Sequence, residues 1–167
     1  NGARLSDLRN QGAGAANAYQ NSKARITARL QIGTTRGNPE LVAEWNSAQA
    51  SLDSLSANIN ALNALGTDVT NDSSSAHFAL NQISATMNVS GAVDEDHRQR
   101  TLLEDETSQT IVVLDRLLKE ISDNVQRQTA YAANERANLT VLNNSIKSGE
   151  LYGALATPVP SGAMSSQ

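Results

Sequence analysis

Apolar and small residues recur along the 167-residue chain at alternating steps of three and four. That spacing keeps one face of an α-helix turned toward a partner. Near the start, Leu5, Leu8, Gly12, Ala15, Tyr19, Ser22, Ile26 and Arg29 form such a series and predict a helix over residues 3–32. Its seam is thin, and Gly12 and Gly14 each weaken it by ~1 kcal/mol relative to Ala. Gly33-Thr34-Thr35-Arg36-Gly37 ends it. A second helix opens at Asn38-Pro39-Glu40, where Asn38 caps, Pro39 suits the first helical position and Glu40 faces the positive end of the dipole. Leu41, Trp45, Ala48, Leu52, Leu55, Ile59 and Leu62 then follow without a missed step.

Gly66 and the run Asn71-Asp72-Ser73-Ser74-Ser75 have the composition of a loop. The phase nevertheless continues through Gly66, Val69, Ser73, Ala76, Leu80, Ile83 and Met87. A loop has no reason to preserve heptad phase, so one helix over 39–87 is expected, with a break at Gly66–Ser75 as the alternative. Asn88-Val89-Ser90-Gly91-Ala92 reads as a turn. Asp94 then caps a third helix over 94–148, with Glu95 and Asp96 in its first turn. Its seam is Leu103, Thr107, Ile111, Leu114, Leu118, Ile121, Val125, Gln128, Ala132, Glu135, Leu139, Leu142 and Ile146, and Gly149 stands at the C′ position.

The expected fold is all-α: an elongated antiparallel hairpin or coiled coil of two long helices, each ~75 Å, with a shorter N-terminal helix packed at its base. The base is then a three-helix bundle. The two-helix tip leaves much of its seam edge exposed, which favours self-association into a homo-oligomer. Residues 1–153 make the helical domain. Residues 154–167, rich in Pro, Ser and Gly, read as a flexible linker or tail.

Composition narrows the functions. Hydrophobic residues are 39% and aromatics 3%, so a broad globular core is hard to build, while seams of Leu, Ile, Val and Ala are available. The net charge of −4 and the scattered Lys and Arg exclude a phosphate-binding stripe, hence nucleic acid. The same charge repels anionic lipid, and no apolar run approaches the ~20 residues of a membrane span. Absence of Cys excludes disulfides, thiol catalysis and Cys-based zinc sites. Asn1-Gly2-Ala3-Arg4 carries no apolar signal core, so any targeting signal is expected outside this sequence.

Candidate chemistry is sparse. Asp94, Glu95, Asp96 and His97, with Glu104, Asp105 and Glu106 beyond, form the densest polar cluster, best explained as dipole stabilisation at a helix start. His77 and His97 fall at similar heights on the two arms but lack a third ligand, so no metal and no cofactor is expected. There is no nucleophile elbow and no phosphate loop. Four Asn-X-Ser/Thr sequons match the frequency expected of an Asn- and Ser-rich chain. No catalytic residue is assigned, and the chain is expected not to be an enzyme. Two places could meet a partner. The tip, Val89, Ala92, Val93, Asp94, Glu95 and Asp96, is small and mildly apolar beside its acids. The basal aromatics Tyr19, Trp45 and Tyr131 could line a pocket between helices.

Three stretches, Asn38-Pro39-Glu40-Leu41-Val42-Ala43-Glu44-Trp45-Asn46, Ser90-Gly91-Ala92-Val93-Asp94-Glu95-Asp96-His97-Arg98 and Gly149-Glu150-Leu151-Tyr152-Gly153, carry a resemblance. They resemble the helical region of uncharacterised alphaproteobacterial cell-envelope proteins of lipoprotein type. The resemblance spans most of residues 38–153, contains no catalytic signature, and implies a periplasmic or envelope location. Together these features lead to an expected scaffold, spacer or adaptor that contacts protein partners or itself. The alternative is a compact ligand-sensing bundle with a pocket near Trp45.

Overall fold

A computed structural model describes residues 1–89 and 94–151. They form three helices: α1 (Gly2–Ile32), α2 (Pro39–Val89) and α3 (Asp94–Ser148). The protein is an all-α helical bundle. α2 passes through Gly66 and Ser73-Ser74-Ser75 without a break, as its continuous phase requires. Val69 is fully buried and Ser73 nearly so. α2 also runs through Asn88 and Val89, two residues past its expected end, so these belong to the helix and not to a turn. Ser90–Val93 and the chain beyond Leu151, which include the expected tip residues Ala92 and Val93 and the expected linker, lie outside the described residues.

The bundle divides into two compact units, and the helices contribute to both. The first contains Asn1–Asn10 and Asn58–Gln128. Its core is Leu5 and Leu8 of α1, Leu62, Leu65 and Val69 of α2, and Leu114 and Ile121 of α3. Ala61, Ala76, Leu117, Leu118 and Val125 pack around it. Arg4 pairs with Asp68 at 2.8 Å, and Asn1 donates to Asp72 at 2.7 Å. This descending pairing makes α1 antiparallel to α2. Asn58 donates to Gln128, and Ser84 donates to Glu104, so α3 is antiparallel to α2 as well.

The second unit contains Gln11–Ala57 and the chain from Thr129 onward. Tyr19, Ile26 and Leu30 of α1, Leu41, Ala48, Leu52 and Leu55 of α2, and Ala132, Leu139, Leu142 and Ile146 of α3 are buried. The spacing is the one expected, with one displacement: Leu30 is buried where Arg29 was expected, and Arg29 is exposed. A step of four after Ile26 takes the larger apolar residue inward and leaves the guanidinium in water, which avoids burying a charge.

The connection between α1 and α2 is tied to the end of α3. Asn38 Oδ1 accepts from the Glu40 amide at 2.9 Å, the expected cap, and Asn38 Nδ2 donates to Thr34 Oγ1. The Gly37 amide donates to Ile146 O at 2.9 Å and the Thr34 amide to Gly149 O at 3.0 Å. Carbonyls at the end of α3 that have no intrahelical donor are thereby satisfied. Gly149 has a φ of 80°, and a Cβ there would lie 2.3 Å from Thr34 O. Glycine at this position meets two demands at once, a left-handed backbone and a close approach of the loop.

Candidate functional site

In the second unit the three expected aromatics are committed to internal contacts. Tyr19 is completely buried, and its hydroxyl donates to Glu135 Oε2. The same carboxylate oxygen accepts from Lys23 Nζ at 3.1 Å and Asn138 Nδ2 at 3.2 Å. Tyr131 meets Tyr19 edge to face, with ring centroids 6.4 Å apart and planes at 88°, a favoured geometry for an aromatic pair. Its hydroxyl accepts from Gln20 Nε2. Trp45 is half-buried and donates its indole N–H to Leu139 O at 2.8 Å. Tyr19 and Tyr131 are thus brought together as the seam implied, while Trp45 fastens α2 to α3.

The electrostatics follow from this packing. Burial pushes the Tyr19 phenol up, and the hydrogen bond to Glu135 and the charge of Glu135 push it further. Burial also raises Tyr131, against the Gln20 hydrogen bond, which lowers it. For Glu135, burial acts upward, but the hydrogen bonds from Tyr19, Asn138 and Lys23 and the charge of Lys23 outweigh it. The carboxyl is held below its ordinary value. Every member of the cluster is paired with a neighbour, so it registers α1 against α3. An unpaired general acid or nucleophile is not among its members.

A groove of about 630 Å³ between α1 and α2 is lined in part by Arg25, Arg29, Glu40, Leu41 and Glu44, and by none of the three aromatics. Arg25 and Glu44 stand 3.6 Å apart across it. Among the described residues, no group of three or more His, Asp or Glu side chains could hold a metal ion. None of the described helices is long and apolar enough to cross a membrane.

The first unit offers a different kind of surface. α1 begins beside Asp72, so further along α2 the pair α2–α3 has no third helix among the described residues. Leu62 and Leu65, beside α1, are completely buried. Ala76, Leu80 and Ile83 are only half-buried. Leu103, expected on the seam, is 50% exposed, a correction with the same cause: two helices in contact can each cover only one face. Phe78 is 64% exposed and Leu102 59%. Glu95 and Asp96, from the expected tip, are exposed in the first turn of α3, and Val89 and Asp94 are the end of α2 and the start of α3.

Charge is distributed unevenly here. From Ser54 to the end of α2 the only Asp, Glu, Lys or Arg residues are Asp68 and Asp72, and both bond to α1. Acids concentrate on α3, as Glu95, Asp96, Glu104, Asp105 and Glu106. A groove of about 400 Å³ lies between α2 and α3, with Gly66, Leu118, Ile121 and Val125 at its floor and Thr67, Thr70, Asn71 and Gln126 among its rim. No charged side chain lines it. Thr70 is two residues from both Asp68 and Asp72, about 160° around the helix, so the groove opens on the side of α2 away from α1.

Phe78 and the charge-free stretch of α2 were missed in the sequence pattern, because Phe78 lies off the seam and periodicity ranks only seam positions. The absence of charge over residues 73–89 was the available signal. No protein-family model matches the chain, and no curated protein or solved structure is similar enough to bear on its fold or function.

Proposed function

We propose that this protein is a non-enzymatic helical scaffold or adaptor module, and that the α2–α3 segment beyond the start of α1 is its docking surface for protein in a bacterial cell envelope. The observation that carries the reading is the uncovered helix pair. Its seam residues Ala76, Leu80 and Ile83 are half-buried, and Phe78, Leu102 and Leu103 stand in water. Large exposed apolar groups clustered on one segment mark interaction surfaces. The fully paired polar cluster at Glu135 supports a structural role for the most buried polar groups. The envelope setting rests on the resemblance of residues 38–46, 90–98 and 149–153 and is tested by fractionation of host cells.

The surface is tested by placing a photocrosslinking residue at Phe78, Leu102 or Leu103 in cells, with Gln31 and Gln49 of the second unit as controls. Discrete adducts at the first three positions and none at the controls are expected. Equal labelling at all five, or none at any, overturns the reading. The alternative, a small-molecule pocket at Tyr19, Trp45 and Tyr131, has less support, since each of these side chains already has an internal partner.

A further inference from the structure

We infer that the partner on α2 is a second copy of this chain, paired antiparallel through the charge-free face that carries Phe78; this rests on the docking reading above. Phe78 lies eleven residues from Thr67 and seven from Asn71, within about 20° of both around the helix. The exposed phenyl ring and the rim of the neutral groove therefore share one face of α2. An isologous contact requires a surface complementary to itself. Asn, Ser, Thr and Gln satisfy that requirement, because each both donates and accepts hydrogen bonds.

Charge selects this occupant over others. Each copy carries a net charge of −4, and two copies repel wherever their acids meet. The exposed acids of α2 in this unit, Asp68 and Asp72, turn to α1, and Glu95, Asp96, Asp105 and Glu106 lie on α3. The α2 face offers an approach with no like charges, and depletion of charge is the compositional mark of an interface core. A basic partner would gain nothing on this face and would be drawn to α3.

The geometry is self-consistent. With a two-fold axis level with Ser74, residue 78 of one α2 lies opposite residue 70 of the other. Phe78 of each copy then packs over Thr67 and Asn71 of its mate, the residues with which it shares a face. Both rings are buried by one symmetric contact, in the manner of a central aromatic anchor. The paired stretch, residues 63–85, is ~33 Å long. It buries on the order of 1,000 Å² in total, the low end for a specific interface. Interfaces of this size belong to transient complexes, so the equilibrium is followed from about 1 μM to about 1 mM.

The test is sedimentation velocity of the full chain across that concentration range, for the natural protein, Phe78→Glu and Asn71→Arg. A shift from monomer to dimer is expected, with dissociation constants raised at least tenfold in both variants. At concentrations where all three are monomers the thermal midpoints should be unchanged, because both side chains are exposed. Since the chain has no Cys, Ser74→Cys and Arg9→Cys can be treated with a short bis-maleimide. Ser74→Cys should give a cross-linked dimer and Arg9→Cys, on α1, should not. A monomer at every concentration overturns the inference, as does a dimer indifferent to Phe78→Glu or one cross-linked only through position 9. If the chain is monomeric yet Phe78, Leu102 and Leu103 capture a different protein in cells, self-pairing falls and the docking reading stands. If they capture nothing as well, both fall.

Discussion

Replacing Tyr19 by Phe removes one oxygen from a completely buried side chain and leaves its ring contacts with Tyr131 in place. The lost group donates to Glu135 Oε2. Hydrogen bonds to charged groups contribute ~1.5–3 kcal/mol net. Lys23 and Asn138 still donate to the same oxygen, so the carboxylate does not become an unpaired buried charge, and the loss should stay below the ~3–5 kcal/mol of a broken buried pair. A destabilisation of ~1.5–3 kcal/mol at pH 7 is expected, roughly 4–10 °C in Tm for a chain of this length. Urea unfolding followed by helical circular dichroism measures it.

The pH dependence separates this account from simple loss of packing. Glu135 in the folded protein is held below its ordinary value of 4.5. A depressed carboxyl stabilises the fold above the unfolded value and loses that stabilisation as pH falls through the folded one. Without the Tyr19 hydroxyl the carboxyl moves back up, so the variant has less to lose in acid. The gap between the two proteins should narrow as pH falls through the folded value, toward the ~0.5–1.5 kcal/mol of a neutral hydrogen bond. The phenol, raised by burial, acts at the other limb: its contribution is present below its ordinary value of 10.0 and declines above it. Tyr19→Phe should lack that alkaline decline. A loss under ~0.5 kcal/mol at pH 7, or an equal loss at pH 7 and in acid, would refute the reasoning.

Two further substitutions probe the backbone and the core. Gly149→Ala should destabilise by more than Gly33→Ala in urea melts. Both residues have positive φ, and an alanine there carries a conformational penalty of ~1–2 kcal/mol. Only Gly149 would also drive a Cβ into Thr34 O, while Gly33 has open space; equal losses would contradict the close approach. In the first unit, Asn58 Oδ1 is buried without a hydrogen-bond partner, and an unsatisfied buried acceptor costs ~1–3 kcal/mol. Replacing Asn58 and Gln128 together by Leu should raise the urea midpoint, and a lowered midpoint would show that the amide pair is worth more than apolar packing.

Much of the bundle is readable from heptad phase alone. The run Leu41, Ala48, Leu52, Leu55 and Leu62 faces inward throughout. The phase that survives Gly66 and the serine run forecasts an unbroken α2, because a helix interrupted there would have lost it. Asn38, Pro39 and Gly149 mark helix ends for local reasons that need no tertiary partner: a side-chain acceptor for a free amide, a preset φ, and a tolerated left-handed backbone. The poverty of catalytic constellations is likewise visible in residue types.

What depends on the third dimension is different in kind. Phase identifies which face of a helix is inward but not how many neighbours cover it, so it ranks Leu62 and Leu103 alike. Only the starting point of α1, beside Asp72, makes the first completely buried and the second half exposed. Phase also places Tyr19 and Glu135 on their own seams without registering one helix against another. The convergence of Tyr19, Lys23 and Asn138 on one carboxylate oxygen is set by that register. The same holds for the neutral groove at Gly66, whose two walls come from residues 63–71 and 118–126, 47 positions apart along the chain. Local periodicity determines the helices and their inner faces. Distances between helices, and the surfaces left uncovered by their unequal lengths, arise only when the helices pack.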